Sequence, residues 1–375
     1  MRAVHRPHLL LLLTCVAMIS IGLVMVLSAS SVQAFKQYGT SFSYFYRQLL
    51  GAALGTAAMV FMMRFDYRRL RDFARPLLAL TIILLVAVLV PGIGTTRGGS
   101  SRWLLLGPLS VQPSEAAKLV LVIFAAHVLE GKGRSVLDPV ELAVPLLPAT
   151  GLVALLIMAQ PDLGTTIICA GGVMAVIFLS GARMRHVNIL AAAGLLMVVV
   201  LGLSQAYRRE RVLSFLNPWA DPLNTGYHVI QGQIALGSGG LFGVGLGASR
   251  QKWSYVPNVH TDFIYAIIGE ELGLAGTLFV LLLFVFFMCL GIRIARRARD
   301  RFGFLLAGGI TAWIGLQALV NMATVSGLLP ITGVPLPLIS FGSSSLVITM
   351  AGVGILLSVA RRGRAPEPHS SSTLA

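Results

Sequence analysis

Long apolar stretches, separated by short polar intervals, dominate this chain. Ten of them are long enough to cross the roughly 30 Å hydrocarbon core of a bilayer as helices, and they cover about 9–28, 47–63, 76–91, 114–130, 141–159, 163–181, 187–205, 262–291, 303–326 and 340–360. We expect helices because a helix satisfies its backbone hydrogen bonds within the segment. Charged residues make up only 11% of the 375 residues of the chain, whereas they make up about 25% of a soluble protein. The pattern predicts an all-α integral membrane protein with about ten transmembrane helices.

Basic residues are concentrated in alternate intervals between these stretches. With a cytoplasmic N-terminus, the even-numbered loops hold Arg64, Arg68, Arg69, Arg71, Arg75, Lys132, Arg134, Arg183, Arg185, Arg293, Arg296, Arg297, Arg299 and Arg301. Cytoplasmic loops carry an excess of Lys and Arg, so we expect both termini in the cytoplasm. This topology accounts for the net charge of +15 without nucleic acid, for which the chain has no soluble basic patch. We predict one membrane domain over residues 1–363 and a disordered cytoplasmic tail over 364–375.

One outer loop, residues 206–261 between predicted helices 7 and 8, is long, glycine-rich and basic. Its cationic side chains include Arg208, Arg209, Arg211, Arg250 and Lys252. Long loops cross a membrane largely regardless of their charge, so the topology stands. A basic outer loop beside a membrane suits an anionic, lipid-borne ligand such as a pyrophosphate. Attraction of these side chains to lipid headgroups is an equally open alternative.

Ionisable residues at membrane depth are costly and usually functional. Glu115 and Lys118 are three residues apart and share one helix face, and Ser114 is expected to cap that helix. A cap with an internal ion pair is the structural alternative to a functional role. Asp162 follows Pro161 in a tight turn and is expected to cap the next helix.

Asp262 ends the basic loop and directly follows His260 and Thr261. Glu270 lies eight residues further along, about 12 Å in a helix, and is expected to lie deeper. Helix-terminus stabilisation is the alternative for Asp262, and pairing with a cation from another helix is the alternative for Glu270. The neighbouring basic loop favours a functional role for Asp262. The proline-rich segment 327–345 predicts a rigid, non-helical outer loop whose serines bond freed backbone groups.

Several other site classes are excluded by the sequence. There is no glycine-rich phosphate loop, no His-Glu-x-x-His motif and no nucleophile elbow. Cys15, Cys169 and Cys289 lie within apolar stretches, without the spacing of a metal site. We therefore expect neither ATP hydrolysis nor zinc chemistry, no organic cofactor, and cysteines that serve as packing residues.

Taken together, eight motifs resemble the SEDS family (shape, elongation, division and sporulation). They are, in chain order, Gln112-Pro-Ser-Glu-Ala-Ala-Lys118, Gln160-Pro-Asp-Leu-Gly-Thr165, Tyr207-Arg-Arg-Glu-Arg-Val-Leu-Ser-Phe-Leu-Asn-Pro218, Gly226-Tyr-His-Val-Ile-Gln231, Ala235-Leu-Gly-Ser-Gly-Gly240, His260-Thr-Asp-Phe-Ile264, Gly269-Glu-Glu-Leu-Gly273 and Pro335-Leu-Pro-Leu-Ile-Ser340. The resemblance covers nearly the whole chain. The segments 249–253 and 219–222 look more like division members than elongation members, and sporulation members stay open.

The resemblance implies a peptidoglycan glycosyltransferase that polymerises lipid II, an undecaprenyl-pyrophosphate-linked disaccharide-pentapeptide, at the outer face of the bacterial cytoplasmic membrane. It implies septal wall synthesis, a class B penicillin-binding protein (a transpeptidase) as partner, and contacts with other division proteins. By resemblance, Asp262 matches the aspartate taken as catalytic, and Glu115, Lys118 and Asp162 match further functionally important positions. A lipid II flippase, an elongation polymerase and a non-catalytic scaffold are the alternatives.

Glycan polymerisation needs chemistry that these residues can supply. A carboxylate at the outer surface can take the proton of the attacking sugar hydroxyl, and a single displacement would invert the anomeric configuration. Cations and a divalent metal ion, Mg²⁺ or Mn²⁺, can stabilise the undecaprenyl diphosphate leaving group; the metal ligands stay unassigned. Besides Asp262, the residues expected to bind substrate or support the site are Glu115, Lys118, Asp162, Arg102, Arg208, Arg211, Arg250, Lys252, His260, Thr261, Glu270 and Ser340.

Overall fold

The computed structural model of the chain describes residues 7–97, 100–106, 109–132, 138–253 and 259–363. Helices form most of it: α1 (Pro7–Tyr38), α2 (Ser43–Arg64), α3 (Leu70–Leu89), α4 (Pro113–Glu130), α5 (Pro139–Ala159), α6 (Leu163–Leu179), α7 (Met184–Leu203), α8 (Ala206–Leu216), α9 (Tyr227–Ser238), α10 (Ile264–Arg296), α11 (Arg301–Val325) and α12 (Ser343–Arg362). All except α8 and α9 coincide with the ten apolar stretches. The predicted tail, 364–375, lies outside the described residues.

Six helical segments among the described residues are long and apolar enough to cross a membrane by length and composition: Pro7–Tyr38, Tyr67–Leu89, Met184–Leu203, Ile264–Arg296, Arg301–Val325 and Ser343–Arg362. Two shorter apolar helical segments are Ala143–Ala159 and Leu163–Leu179. Together they establish a multi-pass, helical membrane protein. The count of ten spans and the cytoplasmic placement of both termini stay predictions.

Three of the predicted cytoplasmic loops meet at one end of the molecule. Arg68, between α2 and α3, places Nε 3.2 Å from Oδ2 of Asp300, between α10 and α11. Arg301 donates from Nη2 to the carbonyl oxygen of Ser180, in the α6–α7 connection, at 2.9 Å. Loops that share one side of a membrane are expected to meet in this way, which agrees with the charge pattern.

The described part of the predicted outer loop, 206–253 and 259–261, contains helices that the sequence pattern did not predict. It contains α8 and α9, and α9 packs directly on α10: a Cβ added to Gly239 would lie 1.9 Å from the carbonyl oxygen of Gly269. A second unpredicted element lies between α3 and α4, where strands β1 (Gly94–Arg97), β2 (Ser100–Leu106) and β3 (Leu109–Val111) form an antiparallel sheet in the order β1-β2-β3.

Helix α10 is broken at Gly273, which has φ 69° and ψ −164°. The loop before α10 pairs with the break: the amides of Leu274 and Ala275 donate to the carbonyls of Gly240 and Leu241 at 2.9 and 3.1 Å. A side chain at 273 would strike this loop, so glycine is required for both its φ and the close approach. The helical part after the break, 274–296, spans about 35 Å, which is enough to cross the roughly 30 Å core. The part before Gly273 is therefore not needed to cross the bilayer.

The segment 326–342 between α11 and α12 contains no helix or strand, which confirms the predicted non-helical loop as far as 342. Residues 343–345, which were predicted to belong to the loop, form the start of α12. Two side chains fix the shape of the loop. The hydroxyl of Ser340 accepts a bond from the amide of Leu336 at 2.8 Å. Gln48 of α2 donates to the carbonyl of Ser340 at 3.1 Å and accepts from the amide of Gly342 at 3.1 Å. The hydroxyl of Ser340 therefore serves this turn rather than an open surface.

Candidate active site

Asp262 lies two residues before the start of α10, and neighbouring side chains fix both its backbone and its carboxylate. Asn321 of α11 donates from Nδ2 to the carbonyl oxygen of Asp262 at 2.8 Å. Thr261 donates from its hydroxyl to Oδ1 at 2.9 Å. Oδ2 lies on the side of Gly333, where an added Cβ would be 3.9 Å away. Asp262 as a whole residue is only partly buried, and these contacts hold its carboxylate in a defined place.

Burial raises the pKa of Asp262 above its ordinary value of 3.8, although the Thr261 hydrogen bond and the positive charge of Arg211 oppose the shift. Arg211 extends from α8 and donates from Nη1 to the carbonyl oxygen of Ile331 at 3.5 Å. Arg211 and Asp262 therefore lie beside the same short segment, 331–333. A carboxylate with a raised pKa near a cation has the properties of a general base that acts on an anionic substrate.

Asp162 caps α6, as predicted, by accepting a hydrogen bond from the amide of Thr165 at 3.0 Å. Arg102, on β2, donates to the carbonyls of Gln160 and Pro161 at 2.8 and 2.6 Å, and its Nη1 lies 3.7 Å from Oδ2 of Asp162. The sheet thereby brings Arg102 to the start of α6. These existing bonds occupy much of the guanidinium that was expected to meet the substrate.

The start of α6 also packs against the loop that flanks Asp262. A Cβ added to Gly164 would lie 2.5 Å from the carbonyl oxygen of Thr332 and 2.6 Å from a methyl group of Val334. The cluster around Asp162 and the carboxylate of Asp262 therefore adjoin one segment, 331–334.

The predicted ion pair within α4 is present and buried. Nζ of Lys118 lies 2.7 Å from Oε2 of Glu115 and donates to Oε1 of Gln317 on α11 at 2.9 Å. Ser114, however, does not cap α4. Gln112 occupies the N-cap position without a capping side-chain bond, because Pro113 takes the first helical position and places Ser114 inside the first turn.

Two amides on α11 connect this ion pair to Asp262, and sequence reasoning missed both. Gln317 donates from Nε2 to the carbonyl of Pro335 at 2.9 Å, and Asn321 donates from Nδ2 to the carbonyl of Val334 at 2.8 Å. The available signal was a pair of amides four residues apart in an otherwise apolar helix, which places them on one face.

Among the described residues, the bonds of Glu270 go to the outer loop and not to a cation from another helix. Its carboxylate accepts bonds from the hydroxyl of Ser249 at 2.5 Å and from the amide of Arg250 at 2.8 Å. Lys252 is buried, donates to the carbonyl of Gly247, and lies 3.8 Å from Oε1 of Glu271. These bonds hold the segment 247–252 against α10.

Two further predicted cations of the outer loop are not part of this network. The side chain of Arg250 is exposed, and the side chain of Arg208 lies outside the described residues.

His260 is buried in an aromatic group beside Asp262. Its ring centroid lies 4.5 Å from that of Tyr44 and 5.3 Å from that of Phe341. Burial lowers the pKa of His260 to about 4, so the imidazole is neutral at physiological pH. His260 therefore supports the shape of the site as an uncharged ring.

Comparison with known proteins finds matches over nearly the whole chain. Residues 8–365 match the family described as cell cycle protein, which spans the FtsW, RodA and SpoVE proteins. Stage V sporulation protein E of Bacillus subtilis (strain 168) is 44% identical over 358 residues, which cover 96% of this chain and 98% of that protein. A probable peptidoglycan glycosyltransferase FtsW of Geobacter metallireducens is 41% identical over 362 residues, 96% of each chain.

A solved structure described as structural coordination of polymerization and crosslinking by a peptidoglycan synthase complex contains a similar chain. It aligns with a TM-score of 0.75 at 31% identity, over 94% of this chain and 96% of that one. The agreement of sequence and fold extends over nearly the whole molecule. The chain therefore belongs to the FtsW, RodA and SpoVE family of cell cycle proteins, which is the SEDS family that its motifs resemble.

Proposed function

We propose that this chain is a peptidoglycan glycosyltransferase that polymerises lipid II at the outer face of the bacterial cytoplasmic membrane. The observation that carries the proposal is the carboxylate of Asp262, which is fixed by Thr261 and Asn321 and has a pKa raised by burial. Family relatives that are named as peptidoglycan glycosyltransferases support the same activity.

Asp262 is the general base in this proposal. It takes the proton from a hydroxyl of the acceptor sugar while that oxygen forms a bond to the anomeric carbon of the donor. The bond from that carbon to the diphosphate oxygen breaks, and undecaprenyl diphosphate leaves with the electron pair. A raised pKa brings the carboxylate closer to the working pH, where a general base is most effective. One displacement inverts the anomeric centre.

Positive charge beside the site would stabilise the departing diphosphate. Among the predicted cations whose side chains the structure describes, Arg211 is the best placed, because it bonds to Ile331 in the segment that flanks Asp262 and its charge acts on that carboxylate. The described residues contain no group of three or more His, Cys, Asp or Glu that could hold a metal ion. Mg²⁺ is commonly bound through one or two carboxylates and the phosphates of a substrate. A Mg²⁺ or Mn²⁺ ion bound mainly through the diphosphate of lipid II would neutralise the leaving group, and its protein ligands stay unassigned.

We further propose a transpeptidase of the class B penicillin-binding protein type as the partner, with other division proteins and membrane lipid as further contacts. The similar chain in a complex for polymerization and crosslinking supports a crosslinking partner. A septal location follows if the chain acts in division. Identity does not separate division from sporulation, because the sporulation relative is 44% identical and the division relative 41%.

A lipid II flippase is the second candidate, and the buried pair of Glu115 and Lys118 is the observation that favours it, since intramembrane charges often line pathways. Both side chains are almost fully buried, and Lys118 is also bonded to Gln317. Buried charges that are bonded to one another and to Gln317 can hold two helices together. The charges that line a transport pathway must instead contact solvent or the transported lipid. The polymerase therefore fits the geometry better.

The purified chain, with a transpeptidase partner, labelled lipid II and a divalent cation, provides the test. We expect glycan polymer on a gel with wild type and none with Asp262→Ala at equal folding and partner binding. Polymer from both proteins would retain the enzyme and move the base elsewhere. No polymer from either, together with labelled lipid crossing vesicles, would replace the polymerase with the flippase.

A further inference from the structure

Helix α11 carries two buried amide side chains on the face that adjoins the candidate site. Gln317 and Asn321 are 0% and 1% exposed. A buried polar group without a hydrogen bond is costly. Both ends of the Gln317 amide and the Nδ2 group of Asn321 are bonded, whereas Oδ1 of Asn321 has no hydrogen-bond partner among the described residues. Each of the two amides forms hydrogen bonds to two different segments of the chain and so connects them.

The Nδ2 group of Asn321 has two hydrogens and bonds two carbonyls. One belongs to Asp262 and the other to Val334, each at 2.8 Å. A single amide therefore ties the segment that carries the carboxylate to the loop that faces it. Because Asp262 lies outside helix α10, its backbone lacks the regular helical bonds that would otherwise hold it in place.

Gln317 has a defined orientation because its oxygen accepts two hydrogen bonds. Lys118 donates from Nζ at 2.9 Å, and Trp313 donates from Nε1 at 3.2 Å, both to Oε1. The nitrogen must then point the other way, where it donates to the carbonyl of Pro335 at 2.9 Å. Exchange of the amide oxygen and nitrogen would face donors with donors, so the network itself fixes the assignment.

We propose that Asn321 and Gln317 are positioning residues that hold Asp262 and the 334–335 segment in register, and that the Glu115–Lys118 pair acts on Asp262 through Gln317. The inference rests on the proposed function, since it assigns how the base of that reaction is placed. Neither amide contacts the substrate in this account. Glu115 and Lys118 can then affect polymerisation from a buried position without contacting lipid II.

The expected consequence is a loss of turnover without a loss of substrate binding. A displacement of about 1 Å at a reacting group can lower a rate by roughly 100-fold. The variants are Asn321→Leu and Gln317→Met, which remove the hydrogen bonds at similar volume. Thr311→Val is the matched control, because Thr311 is a buried polar residue of α11 whose hydroxyl bonds only its own helix, at Ala307.

The experiment measures kcat and KM for lipid II polymerisation by the full chain with its partner, normalised to the fraction of protein that binds labelled lipid II. We expect Asn321→Leu to lower kcat by roughly 10- to 100-fold, Gln317→Met to lower it less, and both to leave KM within about twofold. Thr311→Val should resemble wild type. If Asn321→Leu does not fold, Asn321→Asp is the second variant: a buried carboxyl group has at most one proton to donate, so at least one of the two carbonyl bonds is lost, and the same kcat-only loss is expected.

Several results would overturn the inference. They are turnover near wild type in the Asn321 variants, a raised KM with unchanged kcat, a loss fully explained by the lipid-binding fraction, or an equal loss in Thr311→Val. Wild type that forms no polymer would instead refute the proposed function, and the positioning role with it. If wild type forms polymer and the Asn321 variants turn over at a similar rate, the positioning role fails while the proposed function stands.

Discussion

Nζ of Lys118 lies 2.7 Å from Oε2 of Glu115, and the two side chains are only 1% and 3% exposed. A buried pair of opposite charges adds little net stability, but removal of one partner leaves an uncompensated charge. Single and double substitutions of this pair are therefore expected to differ clearly in their effect on stability.

We expect Lys118→Met to destabilise the protein by about 3–5 kcal/mol, and the double variant Glu115→Gln with Lys118→Met to regain most of that loss. Thermal unfolding in detergent measures the effect. A double variant as unstable as the single one would contradict the electrostatic account. A double variant that is stable but forms no polymer would show that the pair contributes more than stability.

The pH dependence of turnover should report the raised pKa of Asp262. A base works only when deprotonated, so the rate should rise with pH through a midpoint above the ordinary aspartate pKa of 3.8. Arg211 lowers this pKa, so Arg211→Ala should move the acidic limb to higher pH. Arg211→Lys keeps the charge and is the control. An acidic limb that stays in place in Arg211→Ala would contradict the assignment.

Stability should also depend on the protonation of Asp262. Its folded-state pKa is raised above the unfolded value, so its favourable contribution is complete below the unfolded pKa and is lost as pH rises through the folded pKa. Asp262→Asn, which cannot ionise, should therefore unfold at a higher temperature than wild type at neutral pH. The difference should shrink as the pH falls toward 4. A variant less stable than wild type at pH 7 would indicate that the charge is compensated in the folded state.

Gly333 offers a test of the space beside the carboxylate. Its φ is +70°, and an added Cβ would lie 3.9 Å from Oδ2 of Asp262. Gly333→Ala should lower turnover as well as cost about 1–2 kcal/mol of backbone strain. Gly39→Ala is the control, because Gly39 has φ +72° and nothing within 4 Å of an added Cβ. Equal turnover in the two variants, measured at equal folded fraction, would place the reaction elsewhere.

The helices could be predicted because the cost of unsatisfied backbone groups in lipid forces long apolar stretches into one structure. The break at Gly273 could not, since a glycine within an apolar stretch gives no sign that another loop will bond there. The helices α8 and α9 within 206–261 could not be predicted either, because neither contains an apolar stretch long enough to cross a bilayer. In the small sheet between α3 and α4, β1 and β3 are only four and three residues long, and the seven residues of β2 do not alternate between apolar and polar side chains.

The candidate site was predictable where the signal is local. The cap at Asp162 follows from its position after Pro161 at the start of α6. The pair of Glu115 with Lys118 follows from their spacing of three residues along α4. Gln317 and Asn321 depend on tertiary packing, which brings α11 against α4 and against the start of α10. Ser114 failed as a cap for a local reason that was overlooked, since Pro113 is favoured at the first helical position.

The single-turnover rate of Asp262→Asn at saturating lipid II tests the central claim most directly. The isosteric amide keeps the shape of the side chain and cannot accept a proton from the acceptor hydroxyl. We predict lipid II binding close to that of wild type and a rate of polymer formation lower by roughly 100-fold or more, the usual contribution of a general base. Binding close to wild type with a rate within a few-fold of wild type would contradict the assignment of Asp262 as the base.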